Sequence, residues 1–301
     1  MIFFPNWYDN IPFYAAIVAA LLYYLGGRQR LQLISRSGVR PARSTKRAWR
    51  SACFYSALVI LVFALQPPLD GWADSLLWVH MIQHELLLMV AAPLLVIAAP
   101  WLRIWAGFSL ALRRPVARSV VQGGWARPLR GLARWLGLPV VAWTLFNVVM
   151  IGWHVPLFYD AAVQNQPIHD SEHLSFLLVG LLFWGQLFDS PPFHSRLDYM
   201  HRFFFMATSM FPSWVLALIL VFSGAPLYPV YVVLESGHSG LGALADQELA
   251  GGIMWMIGSI PMAISGFWLI YQWASDAQEP GARRRRRRVG TLGIADESSD
   301  G

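Results

Sequence analysis

Apolar residues run along this chain in seven blocks, at about residues 11–25, 48–66, 75–100, 138–153, 167–188, 203–222 and 249–273. Most approach the roughly 20 residues that a helix needs to cross a hydrocarbon core. The pattern predicts an all-α protein, a polytopic membrane bundle of seven transmembrane helices. The first block is short for a span unless residues 1–8 lie along the interface. Pro93, Pro212 and Pro261 fall inside blocks and predict kinks there. Gly251, Gly252, Gly258 and Gly266 thin the last block, as close helix packing in lipid favours. Residues 1–275 read as one seven-helix domain, and 276–301 as an Arg-rich disordered tail.

The charges sharpen this picture into a topology. Of 301 residues, 56% are hydrophobic and only 13% charged, which excludes a soluble enzyme with a large polar surface. All 23 Lys and Arg lie in the connections 26–50 and 101–137, at Arg196 and Arg202, and in the run Arg283 to Arg288. With seven spans, every one of them faces the same side. The positive-inside rule then predicts a multi-pass cell-membrane protein with its N-terminus outside and its C-terminus cytoplasmic. The basic pI near 9.8 is therefore a signal for topology and for membrane lipid headgroups, not for nucleic acid. Fifteen Trp and ten Tyr suit interfacial belts. The first 27 residues lack Lys and Arg and include Asp9, so they do not read as a cleaved signal peptide.

Block 75–100 carries His80-Met81-Ile82-Gln83-His84-Glu85 near its start. Ionisable groups inside a span are costly and usually functional. Residues four apart share one helix face, so both imidazoles can reach one ion. The alternative is polar glue between helices. With the predicted orientation, His80 lies near the outer end and His84 one turn deeper. The fourth block ends at His154, and the fifth opens with His169-Asp170-Ser171-Glu172-His173. Five of eight histidines from three blocks thus converge on the outer side, while His194 and His201 fall on the other and His238 in an outer loop. Pro167 at the first turn or Asp170 as N-cap are rival starts for the fifth helix, and the second weakens the pairing of His169 with His173. Asp160, Asp170 and Glu172 can orient imidazoles or serve as caps. Asp246 and Glu248 meet the dipole at the start of the last helix. Asp246 can alternatively complete the cluster as an oxygen ligand or counter-charge. Met81, Met89, Met254 and Met256 are candidate thioether donors or core filler.

Cys53 is the sole cysteine, which excludes a disulfide framework and any Cys-x-x-Cys motif. An imidazole-rich site without thiolates suits copper or zinc. Three activities stay open on these residues: copper handling, an intramembrane zinc hydrolase, and a bis-histidine haem protein. The row at 80–84 lacks the Glu of H-E-x-x-H, which weakens the protease form of the hydrolase.

These motifs together resemble the CtaG family of cytochrome c oxidase assembly factors, the caa3-oxidase type. The resemblance rests on His80-Met81-Ile82-Gln83-His84 with the apolar run to Ala99-Pro100, Asn147, and Trp153-His154-Val155-Pro156-Leu157-Phe158-Tyr159-Asp160. It continues through His169-Asp170-Ser171-Glu172-His173, Phe183-Trp184, Asp246-Gln247 and Gly251-Gly252-Ile253-Met254-Trp255. Its motifs span about residues 70–260, and none of them falls in the basic loops or the Arg tail. It implies a non-enzymatic role in supplying copper to subunit II, or in assisting other subunits, of a haem–copper oxidase. The expected metal residues are His80, His84, His154, His169, His173 and Asp246, with copper as the metal and zinc the alternative.

Overall fold

A computed structural model describes residues 10–36, 45–235 and 241–278. His238 and the run Arg283 to Arg288 lie outside the described residues, as does most of the expected tail. Among the described residues there are helices and no strand.

The helices are α1 (Ile11–Arg36), α2 (Thr45–Ala64), α3 (Leu69–Ala73), α4 (Leu77–Glu85), α5 (Ala92–Ala98), α6 (Trp101–Gly107), α7 (Leu110–Gln122), α8 (Arg127–Leu136), α9 (Pro139–Trp153), α10 (Pro156–Gln164), α11 (Gln166–Leu187), α12 (Tyr199–Phe222), α13 (Pro229–Glu235) and α14 (Ala243–Gln278). Five segments are long and apolar enough to cross a membrane: Ile11–Leu33, Thr45–Ala64, Leu77–Ala98, Tyr199–Phe222 and Ala243–Asp276. A sixth arises if Gly124–Leu136 and Pro139–Trp153, bent by 78° to each other, count as one span. The expected seven are thus five or six by length and composition. Two blocks account for the difference. Helix α9 has only 15 residues, about 22 Å of rise. Helix α11 is long enough at 22 residues, but His169, Asp170, Glu172 and His173 occupy its first two turns. The first span is longer than its block, because α1 continues through Gly26 and Gly27 to Arg36.

The basic connection 101–137 folds into α6, α7, a short turn of 3₁₀ helix and α8. Arg103 ties α6 to α1 and α2, donating to the Tyr23 carbonyl at 3.0 Å and to Ser51 Oγ at 3.0 Å. Its guanidinium also lies 3.9 Å from the Tyr23 ring centroid, over a buried aromatic stack with Phe54.

The span 75–100 is not one regular helix. Between α4 and α5, residues Leu86–Ala91 take the wider π register. In that register the N–H due at the Leu88 carbonyl belongs to residue 93, a proline without one. The Trp184 indole supplies the missing donor at 2.8 Å. Pro93 therefore marks the break expected of it, whereas Pro212 and Pro261 lie inside continuous helices. Gly180 of α11 lets that helix close on this segment; a Cβ there would stand 2.9 Å from Ala92 Cβ. In the last helix Gly251 faces Val221 and Leu220 of α12, while Gly252 faces open space. The main core mixes aliphatic and aromatic side chains, with Phe146 and Phe183 stacked at 4.3 Å between α9 and α11.

Candidate metal centre

Four element ends meet at one end of the bundle: the start of α4, the end of α9, and the starts of α11 and α14. Helix α4 begins at Leu77 with no cap of its own. Asp246 of α14 supplies one from across the bundle, accepting from the Leu77 N–H at 2.7 Å and the Trp78 N–H at 2.9 Å. Each carboxylate oxygen accepts one of these bonds, and Asp246 is in neither set of clustered donor atoms described below. Gln247 beside it ties α14 to the end of α12, donating to the Leu220 carbonyl and accepting from the Leu227 N–H.

Helix α11 is capped by Asn165, whose side chain accepts from the Ile168 N–H. Neither Pro167 at the first position nor Asp170 is the cap; Asp170 instead accepts from Gln166 at 3.0 Å on the exposed side. His169 is therefore helical, and His169, Glu172 and His173 share one face by i, i+3 and i, i+4 spacing.

These two faces bring four rings into contact. Ring centroids are 4.4 Å apart for His80 and His84, 4.9 Å for His80 and His169, 5.4 Å for His84 and His173, and 4.2 Å for His169 and His173. His80 Nε2 stands 3.3 Å from His169 Nε2 and 3.6 Å from Glu172 Oε2. His84 Nε2 stands 3.5 Å from Glu172 Oε1. Ligands bonded at 2.0–2.1 Å in a tetrahedron lie about 3.3 Å from one another, so these spacings suit donors around one ion. Two sets offer donor atoms all within 4.8 Å: His80, His84 and His173, and His80, His169 and Glu172. A shared proton between His80 and His169 also satisfies the 3.3 Å pair, but it leaves the other donors unpaired.

Those other donors are numerous. Both nitrogens of His84, Nε2 of His173 and both oxygens of Glu172 are buried without a hydrogen-bond partner. Buried polar atoms are normally paired, so five orphans in one place set this spot apart from an ordinary core and make it the candidate site. His154 lies at the margin, its ring 6.3 Å from His84. Its Nδ1 donates to the Met150 carbonyl at 2.7 Å, leaving an unpartnered Nε2. It belongs to neither donor set. His201 pairs instead with Asp198 at the start of α12.

Glu172 carries more of this site than its sequence position suggested, standing among the rings and fully buried. Its signal was present in the same-face spacing to His169. Tyr231 of α13 also joins the site, and it had no local signal; its hydroxyl lies 3.0 Å from His80 Nδ1.

The fold and the cluster define a helical integral membrane protein with a buried histidine–carboxylate centre at one end of its bundle. The chain belongs to the cytochrome c oxidase caa3 assembly factor family, Caa3_CtaG, which it matches over residues 21–276. That match extends beyond the 70–260 spanned by the motifs and takes in the whole basic connection 26–50. Uncharacterized proteins of Mycobacterium bovis and Mycobacterium tuberculosis are each 28% identical over 301 residues, covering 93% of this chain and 41% of theirs. One of Mycobacterium leprae is 27% identical over 297 residues, covering 94% and 42%. The chain thus spans about two fifths of the length of the curated relatives it matches. No solved structure matches it significantly.

Proposed function

We propose that this chain is a non-enzymatic assembly factor that holds copper at the histidine cluster and passes it toward the copper centre of a haem–copper oxidase. The observation that carries this reading is the set His80, His84 and His173, with donor atoms within 4.8 Å and, at His84 and His173, ring nitrogens without a hydrogen-bond partner. Neutral imidazole suits copper, and membership of an oxidase assembly factor family supports the oxidase as the proposed destination. The metal here is cargo, so affinity must permit release; a site of rings and one carboxylate, without thiolate, meets that need. The four rings touch one another, which favours a small ion over a haem between any two of them.

The same proposal includes topology and partners. Counting α8–α9 as one bent span and α11 as another brings the spans to seven, with the N-terminus outside and the cluster near the outer face. Subunit II is the proposed oxidase partner. At the other end, a cavity of about 460 Å³ is lined by Arg30, Lys46, Arg47, Arg50 and Arg103. Such a concentration of cations suits the anionic headgroups of a cytoplasmic leaflet.

A zinc hydrolase is the second reading, and Glu172 is what favours it, since a carboxylate beside a metal can serve as base toward bound water. Oxidase copper separates the two. In cells whose chromosomal copy carries His84→Ala or His173→Ala, the assembly reading expects oxidase that is made but short of copper. Full oxidase copper in both variants, with a chelator-sensitive hydrolysis lost, selects the hydrolase.

A further inference from the structure

A second group of unused donors lies beside the histidines and differs from them in chemistry. A cavity of about 20 Å³ is lined by Glu85, Ser213 and five methionines: Met89, Met150, Met210, Met254 and Met262. That is room for about one water or one ion. Glu85 is 5% exposed and its Oε2 has no hydrogen-bond partner; Ser213 Oγ is likewise buried and unpartnered. The backbone makes space for this carboxylate: at Gly258 of α14, a Cβ would stand 2.9 Å from Glu85 Oε2.

Methionine is commonly filler in an apolar core. Filler explains neither a carboxylate at membrane depth nor the two oxygens left without partners. Thioethers are weak, neutral, soft donors that select Cu(I), and one carboxylate balances one monovalent charge. We propose that this cavity is a binding site for a single soft monovalent cation of the Cu(I) class, ligated by methionine sulfur with Glu85 as counter-charge. Met89 and Glu85 are four apart across the start of the π segment, a register change of the kind that recurs at functional sites. The cavity adjoins the histidine centre through the chain itself. Glu85 follows His84, and the Met150 carbonyl accepts from His154 Nδ1. The inference stands on its own donor set and does not require copper at the histidines.

The test uses the full chain in detergent, titrated with Ag(I) and with Cu(I) under ascorbate against a competing chelator, with ligands read by X-ray absorption. The wild type is expected to hold one sulfur-ligated ion. The Met89→Leu/Met254→Leu double variant, which conserves volume, is expected to lose the sulfur shell and bind roughly tenfold more weakly or worse. Glu85→Gln is expected to weaken the same ion by a similar factor, and it decides the matter if the methionine variant fails to fold. His84→Ala/His173→Ala is expected to leave the sulfur-ligated ion in place. An absence of sulfur ligands in the wild type overturns the site and leaves a water-filled void. So does wild-type binding by both the methionine variant and Glu85→Gln. Loss of all monovalent metal in the histidine variant alone also overturns it, while leaving the histidine centre standing.

Discussion

His80 Nδ1 and the Tyr231 hydroxyl lie 3.0 Å apart, and the hydroxyl also lies 3.0 Å from the Ala73 carbonyl, to which it donates its one proton. Burial pushes the Tyr231 hydroxyl well above its ordinary pKa, so it remains a phenol. With that proton donated to the Ala73 carbonyl, the hydroxyl accepts from His80. Nδ1 therefore carries the ring proton, and the Nε2 lone pair is free to face His169 and Glu172. A residue from α13 thus fixes the tautomer of a ring on α4, as partners of metal-binding histidines commonly do.

Tyr231→Phe removes the acceptor and keeps the ring packing. Metal affinity at the histidine centre is expected to fall about 10–100-fold, with the thermal unfolding of the metal-free protein little changed. A chelator-competition titration measures the first and a melting curve the second. Equal affinity in the variant would show that the tautomer is set elsewhere.

Asp246 caps α4, and that structural role is its expected contribution. Asp246→Ala leaves the Leu77 and Trp78 N–H groups buried without acceptors, which costs about 1–3 kcal/mol. The variant is expected to melt earlier yet bind the same amount of metal per folded chain. Metal lost in proportion to His84→Ala, with no loss of stability, would return Asp246 to the ligand set.

Trp184→Phe isolates the hydrogen bond that completes the π segment. The ring still packs, but the Leu88 carbonyl loses its donor, for a destabilisation of about 1–3 kcal/mol. Amide exchange across Leu86–Ala91 is expected to quicken more than exchange in α12. Uniform change, or none, would mean that the segment keeps its register without the indole.

Glu172→Gln preserves shape and removes charge. A divalent ion at the histidines is expected to bind roughly tenfold more weakly, without loss of the four-ring packing. Unchanged divalent affinity would assign Glu172 to packing alone.

Much of the centre was legible because its two halves are local. His80 with His84, and His169 with His173, each follow from helical spacing, and α9 begins and ends within a residue of its predicted block. Glu172 was visible by the same spacing but read as a cap or an orienting group, since sequence does not show which way the first turn of α11 points. The capping role of Asp246 was hidden for a tertiary reason: its own helix start is local, whereas the uncapped start of α4 that it serves is 169 residues away in sequence. Tyr231 had no signal at all, because only the return of α13 over the bundle places it against His80. Length and composition reach five or six of the seven expected spans, and α11 is one that they miss. The polar residues that build the centre sit in the first two turns of α11 and make that helix less apolar than a plain span. The methionine cavity was half visible: Met89 and Met254 line it, whereas Met256 faces outward at 71% exposure and Met81 is packed in the core.

The central claim is that histidines of α4 and α11 share one ion. Cu(II), which imidazole binds well and thioether poorly, tests it directly on the purified full chain by equilibrium binding and electron paramagnetic resonance. The expected result is one tight Cu(II) with nitrogen coupling from more than one imidazole, weakened about 100-fold or more by either His84→Ala or His173→Ala. Wild-type protein that binds no Cu(II), or variants from both helices that bind it as the wild type does, would contradict the account.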